Sequence, residues 1–309
     1  MRVLVTGGAG FIGANLVRTL LGRGHECAVL DSFTTGNPTW LVDLPAGVHE
    51  GDVRQAELVD RLAAGADTIV HLGAVTGVPP SLRDPLTAHR VNVDGTLNVL
   101  QAARAHGGHV LLAGSAAVYG PTPPLPTSED CPPNPISPYA ATKLAAEQYA
   151  LAWSASYGID VLPLRFFNVY GPLQTSTQAY AAVVPAFVEA ALAGMPLPIH
   201  GDGGQTRDFV HVDTVTDVLA TAIEGRLVSR VPVNLALGES HSLLDVADTL
   251  ADVLGRPLER THLPPREGDV RHSRADQTRL RALVQEVRPV GLRDGLASTV
   301  EWASTRRRR

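Results

Sequence analysis

The stretch Thr6-Gly7-Gly8-Ala9-Gly10-Phe11-Ile12-Gly13 decides the fold of this chain. It follows an apolar run at residues 2–6 that is typical of a buried strand, and it opens an apolar helix predicted at about 11–23. Further strands are predicted at 26–31, 68–72, 109–113 and 160–166, and helices at about 86–106 and 139–157. Because crossover connections of this kind join parallel strands, the sequence predicts an α/β protein with a doubly wound parallel sheet.

The glycines of the opening stretch have distinct uses in a strand–turn–helix unit. Gly7 permits the tight turn, Gly10 lets backbone amides approach a diphosphate, and Gly13 lets the helix pack close to the sheet. We place Phe11 and Ile12, the first helical residues, in the same site. A glycine triplet alone often marks only a turn, but in this context it predicts a dinucleotide site of the Rossmann type.

Asp31 ends the second predicted strand, 18 residues after Gly13. A carboxylate there can accept hydrogen bonds from ribose hydroxyls and repel a 2′-phosphate, which favours NAD over NADP. The alternative is a plain turn residue at a strand end. Asp52 and Val53 follow a third strand, where they either contact the adenine or form a surface turn.

The length of 309 residues suits two lobes better than one compact core. The pattern loosens beyond Asn168, where a glycine-rich turn, one strand and two helices predict a smaller α+β lobe, with segments at 201–204, 207–211, 242–254 and 291–304. We expect a dinucleotide-binding domain at 1–167 with a return segment at about 209–236, a substrate domain at 168–208 and 237–305, and a basic tail at 306–309.

Composition excludes several classes of protein. A net charge of −5 argues against general nucleic-acid binding, and the arginine run that ends the chain is expected to be a solvated tail. No apolar run approaches the roughly 20 residues of a membrane span, and no signal peptide pattern precedes the first strand. Two cysteines without metal-ligand spacing indicate a reducing compartment and no metal site. We therefore expect a cytoplasmic protein.

Lys143 is the only lysine of the chain, beside 25 arginines. It follows Tyr139 by four residues, so both lie on one face of a predicted helix. A nearby ammonium favours the phenolate form of a tyrosine, and its compact charge can hold a ribose, a role that suits guanidinium less well. Ser115 lies just past the strand at 109–113, at the ligand-binding edge of such sheets. The three residues form a candidate catalytic set.

These segments together resemble the extended short-chain dehydrogenase/reductase family, and most closely its bacterial UDP-galactose (UDP-glucose) 4-epimerase branch. The resemblance spans nearly the whole chain and rests on Thr6–Gly13, Asp31-Ser-Phe-Thr-Thr-Gly36-Asn37, His71-Leu-Gly-Ala74, Val91-Asn92-Val-Asp-Gly95-Thr96, Ser115-Ala-Ala-Val-Tyr119-Gly120, Tyr139-Ala-Ala-Thr-Lys143, Arg165-Phe-Phe-Asn168-Val-Tyr-Gly-Pro172, Gly201-Asp-Gly203, Arg207-Asp-Phe-Val-His211-Val-Asp213 and Arg266-Glu-Gly-Asp269. It implies a nucleotide-diphosphate sugar as substrate, a UDP-sugar first, and NAD as bound cofactor.

The resemblance also implies a role for each matching residue. Ser115 would hydrogen-bond the sugar hydroxyl that is oxidised, Tyr139 would take its proton, and Lys143 would tune Tyr139 and hold the nicotinamide ribose. Further contacts with NAD are expected at Ser32, Gly36, Leu72, Ala74 and Asn92. The nucleotide and sugar would be bound by Asn168, Arg207, Arg266, Asp269 and Ser273.

Three reactions in this family share a first hydride transfer: epimerisation at carbon 4, dehydration and decarboxylation. Relatives that eliminate water carry acidic or cysteine side chains after the serine-type position, and decarboxylases tend to carry glutamate there. Here Ala116 and Ala117 stand in those places, and alanine exchanges no protons. The resemblance therefore favours a 4-epimerase that works through a transient 4-keto sugar, with dehydratase or decarboxylase as the alternative.

Two further expectations concern function class and assembly. Some members of the superfamily bind the nucleotide without turnover and act as regulators, which remains a second alternative. A homodimer is expected because the helix at about 86–106 presents Val91, Leu97, Val99 and Leu100 beside the Tyr139 helix. Together these apolar residues predict a shared four-helix contact.

Overall fold

The computed structural model describes residues 1–175, 182–265 and 270–307. The strands are β1 (Arg2–Thr6), β2 (Glu26–Asp31), β3 (Gly47–Glu50), β4 (Thr68–His71), β5 (His109–Ser115), β6 (Val161–Phe166), β7 (Asn168–Tyr170), β8 (Leu197–His200), β9 (Thr206–Arg207), β10 (Phe209–His211), β11 (Val233–Leu235), β12 (His241–Ser242) and β13 (Arg260–Leu263). The α-helices are α1 (Phe11–Gly22), α2 (Ala56–Ala63), α3 (Val78–Arg83), α4 (Pro85–His89), α5 (Gly95–His106), α6 (Pro138–Tyr157), α7 (Val183–Leu192), α8 (Val212–Glu224), α9 (Leu243–Leu254), α10 (Thr278–Leu283) and α11 (Leu292–Arg307).

Seven strands form one parallel sheet in the order β11-β6-β5-β4-β1-β2-β3. Its central strands are buried because helices cover both faces. Alternate residues of β1 enter different hydrophobic clusters: Val3 and Val5 pack with α1 and α8, whereas Leu4 packs with α2 and α5. The predicted doubly wound sheet is thereby confirmed.

The order of strands reverses between β1 and β4, which are neighbours in the sheet. The chain first builds outward through β2 and β3, and then crosses to β4, β5 and β6 on the other side. Thr6 and His71, the last residues of β1 and β4, are paired in register and flank the crevice where sheets of this kind bind ligands. The glycine turn after β1 therefore opens at this crevice.

Two predicted elements are divided in the structure. The helix expected at 86–106 consists of α4 and α5 joined by a π-helical turn at Arg90–Asp94, a form often found at functional sites. The strand expected at 207–211 is split into β9 and β10 by Asp208. The buried Asp208 carboxylate accepts backbone hydrogen bonds from Leu237, Gly238 and Ala275 at 2.9–3.1 Å, and this bonding replaces a continuous strand ladder.

A third hydrophobic cluster lies outside the central sheet and is built from α7, α9, α11 and β8. Phe187, Val246, Leu250 and Leu296 are fully buried there. Three two-stranded sheets, β10-β7, β12-β9 and β13-β8, connect the elements around it. These strands contain two to four residues each, too few to give a readable hydrophobic period, and most of them were not predicted from the sequence.

Across the described ranges, none of the helices combines the length and apolar character that crossing a membrane requires.

Candidate functional site

The glycine turn between β1 and α1 leaves a helix start that is open to an anion. Gly10 is the N-cap of α1, no side chain of the described residues caps it, and the first turn carries no acidic residue. Gly7 has a φ of +70°, and a Cβ there would lie 2.7 Å from Gly73 N, so a side chain is excluded. Amides of Phe11 and Ile12 stand at the same helix start. This geometry fits the diphosphate of a dinucleotide.

Asp31 lies at the end of β2 beside this turn and is buried. One carboxylate oxygen accepts from Ala9 N and the other from Phe33 N, each at 2.9 Å. A Cβ on Gly36 would approach the carboxylate at 2.7 Å, so only glycine lets this loop lie against it. Each oxygen keeps a further lone pair, which suits the two hydroxyls of a ribose. Ser32 next to it is exposed and bonds Thr34.

In the segment after β3, the polar groups of Asp52 and Val53 already have hydrogen-bond partners within the protein. The Asp52 carboxylate pairs with Arg54 at 2.7 and 2.9 Å, and this hydrogen bonding lowers the pKa of Asp52. Val53 is buried, and its carbonyl accepts from Asn98 at 2.9 Å. Asp52 therefore reaches an adenine only by sharing its carboxylate with Arg54.

A buried histidine organises the end of β4. His71 Nδ1 lies 2.7 Å from Thr6 Oγ1, and His71 Nε2 lies 3.0 Å from Thr96 Oγ1. The Thr96 hydroxyl donates its proton to Asn92 O, so its oxygen can only accept from His71 Nε2. We therefore assign the ring proton to Nε2, and Thr6, whose oxygen accepts from Gly73 N, donates to Nδ1. The network fixes the Gly73 segment beneath the glycine turn.

Burial, and then the positive charge of Lys143, lower the pKa of His71 to about 3. His71 is therefore neutral at any physiological pH and serves as a structural connector, not as an acid or base. Leu72 and Ala74, which the resemblance assigns to the cofactor, belong to the segment that His71 and Thr6 hold, and Leu72 N donates to Thr6 O at 3.1 Å.

Asn92 lies in the π-helical turn and is buried. Its Oδ1 accepts from Val75 N at 2.7 Å, while its amide donates to Val75 O and to Thr142 Oγ1. Both amide protons are thus used within the protein. Through Thr142, which donates to Tyr139 O at 2.8 Å, Asn92 joins the β4 segment to the start of α6.

The candidate catalytic residues converge at the carboxyl end of β5. Ser115 ends the strand, and its hydroxyl accepts from Ala117 N at 3.2 Å, which caps a short 3-10 turn. Tyr139 lies in the first turn of α6, whose N-cap is Ser137. The Ser115 hydroxyl lies near enough to Tyr139 to lower the pKa of the Tyr139 phenol.

Lys143 ties the same helix to the same strand. Its Nζ donates to Ala113 O at 2.9 Å, two residues before Ser115, and the side chain is 8% exposed. Burial lowers the pKa of Lys143 to about 8. Burial also raises the pKa of Tyr139, and the nearby Ser115 hydroxyl acts in the opposite direction. Lys143 and Ser115 are therefore each held by a backbone group of the segment at the end of β5, and Tyr139 is buried beside them.

A cavity of about 230 Å³ lies between β7, β8, α7 and α9. Two residues predicted to bind the nucleotide and sugar, Asn168 and Arg207, line it. It is also lined by the apolar side chains of Val183, Pro198, Phe209 and Leu243. The Arg207 guanidinium also donates to Thr206 O at 2.8 Å. The structure thus brings these two predicted residues together in one cavity.

His200 and Gln205 line the same cavity and were missed by the sequence analysis. Gln205 is 6% exposed; its Nε2 donates to His200 O at 2.7 Å, and among the described residues its Oε1 has no hydrogen-bond partner. Both flank the glycine-rich turn 201–204, whose position beside Arg207 was a signal that a polar pocket wall lies there.

Ser273 lies beside this cavity's rim. Its N donates to Thr206 O at 3.1 Å, the same carbonyl that Arg207 engages, and the residue is half-buried. Arg266 and Asp269, the other predicted nucleotide contacts, fall outside the described residues.

Comparison with known proteins agrees with this geometry. The sequence model of the NAD dependent epimerase/dehydratase family matches residues 3–236. The chain belongs to this family. A UDP-glucose 4-epimerase of Mycolicibacterium smegmatis is 40% identical over 309 residues, which cover 98% of each chain. NAD is the cofactor by which the epimerase/dehydratase family is defined, and the glycine turn with Asp31 fits it.

Solved structures of the family share the whole fold. The UDP-N-acetylglucosamine 4-epimerase from Methanobrevibacter ruminantium, in complex with UDP-N-acetylmuramic acid, superposes with a TM-score of 0.94 at 32% identity, covering 99% of this chain and 98% of that one. The UDP-glucose 4-epimerase of Thermus thermophilus in complex with NAD gives a TM-score of 0.87 at 37% identity, covering 98% of each. The predicted family, fold and cofactor are confirmed.

Proposed function

We propose that the protein is an NAD-dependent 4-epimerase of a UDP-linked hexose. The observation that carries the proposal is the Ser115–Tyr139–Lys143 set at the sheet edge, followed directly by Ala116 and Ala117. The set can remove the proton from a sugar hydroxyl, and the two alanines supply neither the acid nor the base that dehydration requires. The 4-epimerase activities named for the similar proteins point the same way.

The residues of the chain perform the proton transfer. Ser115 donates a hydrogen bond to the carbon-4 oxygen of the sugar and orients it toward Tyr139. The Tyr139 phenolate accepts the hydroxyl proton as the 4-keto sugar forms, and returns it when the sugar is reduced. The glycine turn and Asp31 would hold NAD, which would supply reversible hydride transfer at carbon 4. Since every participant is regenerated, the cofactor need not leave between cycles.

Tyr139 needs a nearby positive charge to act as a base, and a bound oxidised nicotinamide would supply one. Burial raises the pKa of Tyr139, so the side chains of the protein alone leave the phenol protonated. An oxidised nicotinamide ring carries a positive charge, which favours a nearby phenolate. Lys143, whose Nζ is fixed by Ala113 O, adds a second positive charge and stands one turn away, where it can hold the nicotinamide ribose.

The second lobe would hold the nucleotide. Asn168 and Arg207 line one cavity, and a guanidinium pairs with phosphate oxygens in a bidentate manner. We propose Arg266 and Asp269 as further nucleotide contacts on the resemblance of their motif. In this scheme the domain boundaries are 1–167 with 209–236, and 168–208 with 237–305. The separate hydrophobic cluster of α7, α9 and α11 supports the division, whereas Ala275, Leu280 and Val284 pack with the central sheet.

A panel of nucleotide sugars tests the activity. The protein with NAD is incubated with UDP-glucose, UDP-galactose and their N-acetylamino counterparts, and the products are separated by chromatography. Interconversion of carbon-4 epimers without net NADH is expected. Loss of water or of carbon dioxide would overturn the proposal in favour of a dehydratase or decarboxylase, and NADH absorbance without product would favour a regulator.

We infer a homodimer through the outer face of α6. Tyr149, Trp153 and Tyr157 pack edge to face along this helix with centroids 5.6 and 5.4 Å apart, and Tyr149 and Tyr157 remain 39% and 47% exposed. Val99 and Leu100, which the sequence analysis offered for this contact, are fully buried inside the subunit and do not supply it. An exposed aromatic row of this kind is typical of a protein–protein contact.

Light scattering at micromolar concentration should give the mass of a dimer, and Tyr149→Glu with Tyr157→Glu should give a monomer. A monomeric wild-type protein would contradict the inference. We also propose a cytoplasmic location, because Cys27 and Cys131 are free thiols, as is usual in reducing compartments. Fractionation of cells that express the protein tests this.

A further inference from the structure

A buried ion pair lies directly behind the catalytic triplet. Glu147, one turn after Lys143 on α6, accepts from Arg165 Nε at 2.8 Å and from Arg165 Nη2 at 2.7 Å. The two side chains are 1% and 2% exposed. The third guanidinium nitrogen, Arg165 Nη1, is buried and has no hydrogen-bond partner among the described residues.

Arg165 also contacts the turn that begins at Ser115. Its guanidinium carbon lies 4.7 Å from the centre of the Tyr119 ring, and Tyr119 is the last residue of the 3-10 turn that Ser115 caps. The Tyr119 hydroxyl donates to Asn234 Oδ1 at 2.6 Å. In the sheet register, Arg165 stands between Gly114 on β5 and Asn234 on β11. One guanidinium therefore touches both the Tyr139 helix, through Glu147, and the Ser115 turn, through Tyr119.

Stability alone does not account for such a pair. Removing two charges from water is costly, and buried pairs replaced by apolar side chains of similar volume frequently leave a protein equally or more stable. A buried network does, however, restrict where its members lie relative to one another. Here the members are attached to the two elements that carry the proton acceptor and its partner.

We propose that Glu147 and Arg165, with Tyr119, are positioning residues that set the distance between the Tyr139 hydroxyl and the Ser115 hydroxyl. Lys143 fixes α6 to β5 at one point, through Ala113 O, and Glu147 fixes it to β6 one turn further on. Two tethers prevent the helix from rotating about either one. The proposal rests on the proposed function, because it assigns Ser115 and Tyr139 to proton transfer.

The test replaces the pair without leaving a lone charge. Glu147→Met with Arg165→Met keeps the volume and should leave the thermal midpoint and the binding of NAD nearly unchanged. Misplacement of a reacting group by about 1 Å can cost 10²-fold in rate, so we expect kcat to fall by roughly 10- to 100-fold. Because the nearby Ser115 hydroxyl lowers the pKa of Tyr139, separating the two groups should move the limb of the pH–kcat/KM profile that reports the base to higher pH.

A matched control uses the ion pair at the opposite end of β6. Asp160→Asn with Arg226→Met removes the exposed Arg226–Asp160 pair and should leave kcat and the pH profile unchanged. If the buried double variant does not fold, Glu147→Gln, which keeps the shape and one acceptor, is measured in the same way. Normal kcat with an unmoved pH limb in the folded variant would overturn the proposal. Absence of turnover in the wild-type protein would instead overturn the proposed function.

Discussion

The catalytic edge of the central sheet and the cavity of the second lobe are built on different principles. At the sheet edge, His71, Asn92 and Lys143 are buried, and each places its polar atoms against specific protein partners. In the cavity, Gln205 Oε1 has no partner among the described residues, and apolar walls surround the polar ones. The side chains of His71, Asn92 and Lys143 are thus held by protein partners, whereas the cavity has a hydrogen-bond acceptor left for a ligand.

This difference indicates how the work is divided. Rate depends on fixed geometry and on exclusion of water, and the proposed proton-transfer residues stand on β5 and α6, a strand of 7 and a helix of 20 residues. Choice among substrates depends on a pocket whose walls can differ between relatives with little effect on the sheet. Changes at the edge should therefore reduce rate, and changes in the cavity should alter affinity or preference.

The largest effect should come from Tyr139→Phe at the edge. The ring and its packing remain and only the proton acceptor is lost, so we expect kcat to fall by about 10²–10⁴-fold, the range of general acid–base catalysis. Binding of NAD and of the UDP-sugar should persist, as measured by fluorescence titration. A variant that keeps near-normal turnover would show that another group takes the proton.

The pKa of Lys143 reports how strongly the catalytic edge is shielded from water. Burial lowers its pKa from 10.5 to about 8, a difference worth about 3 kcal/mol. Between these values the unfolded chain binds one more proton than the folded one, so this group makes stability rise with pH through that window. Lys143→Met removes this titration. The free energy of unfolding of the variant relative to that of the wild type should therefore be greatest at pH 7 and fall by about 3 kcal/mol as the pH rises from 8 to 10.5.

Because Lys143 is the only lysine, labelling lysine with ¹³C gives a single side-chain signal. Its chemical shift should titrate near pH 8. A titration near the ordinary lysine value would show a hydrated ammonium and would contradict the contrast between the two regions.

The sequence was most informative where the local chemistry allows only one type of residue. Gly7 predicted the turn after β1, Gly13 predicted the close packing of α1 on the sheet, and the lone Lys143 predicted a functional helix beside Ser115. It failed where tertiary contacts are involved. Asp208 interrupts a strand by accepting from three distant amides, and the π-helical turn contains Asn92, which accepts from Val75 N. The short strands of the second lobe have no local signal, so the cavity wall at Gln205 was not foreseen.

In the cavity, Arg207→Gln should weaken binding of the UDP-sugar without abolishing turnover. Hydrogen bonds to a charged group contribute about 1.5–3 kcal/mol, so KM should rise roughly ten- to hundredfold while kcat changes much less. The control is Arg288→Gln, which affects an exposed arginine whose partner is Glu286 on the same surface segment. A fall in kcat at unchanged KM would place Arg207 with the catalytic edge and erase the distinction between the regions.

The smallest effect is expected at Ser273, and it concerns preference between substrates. Ser273 N donates to the carbonyl of Thr206, which also accepts from the Arg207 guanidinium. Because Gln205 and Arg207 on either side of Thr206 line the cavity, Ser273 lies next to the cavity wall. A serine there leaves space that a tyrosine would fill, and we expect the wild type to accept both a plain UDP-hexose and its N-acetylamino counterpart. Apolar contacts discriminate by only about 1–3 kcal/mol, so Ser273→Tyr should reduce kcat/KM for the N-acetylated substrate roughly tenfold or more and spare the plain one.

The Ser273 result separates two descriptions of the second lobe. If the variant discriminates between the substrates while the pH profile stays fixed, the cavity and its rim choose the sugar independently of the catalytic edge. If both substrates are slowed equally, the added ring acts through the backbone hydrogen bond that Ser273 shares with the Arg207 segment, and it disturbs the nucleotide instead of the sugar. Competition kinetics with the two substrates in one vessel distinguishes these outcomes, because the product ratio depends on preference and not on the amount of active enzyme.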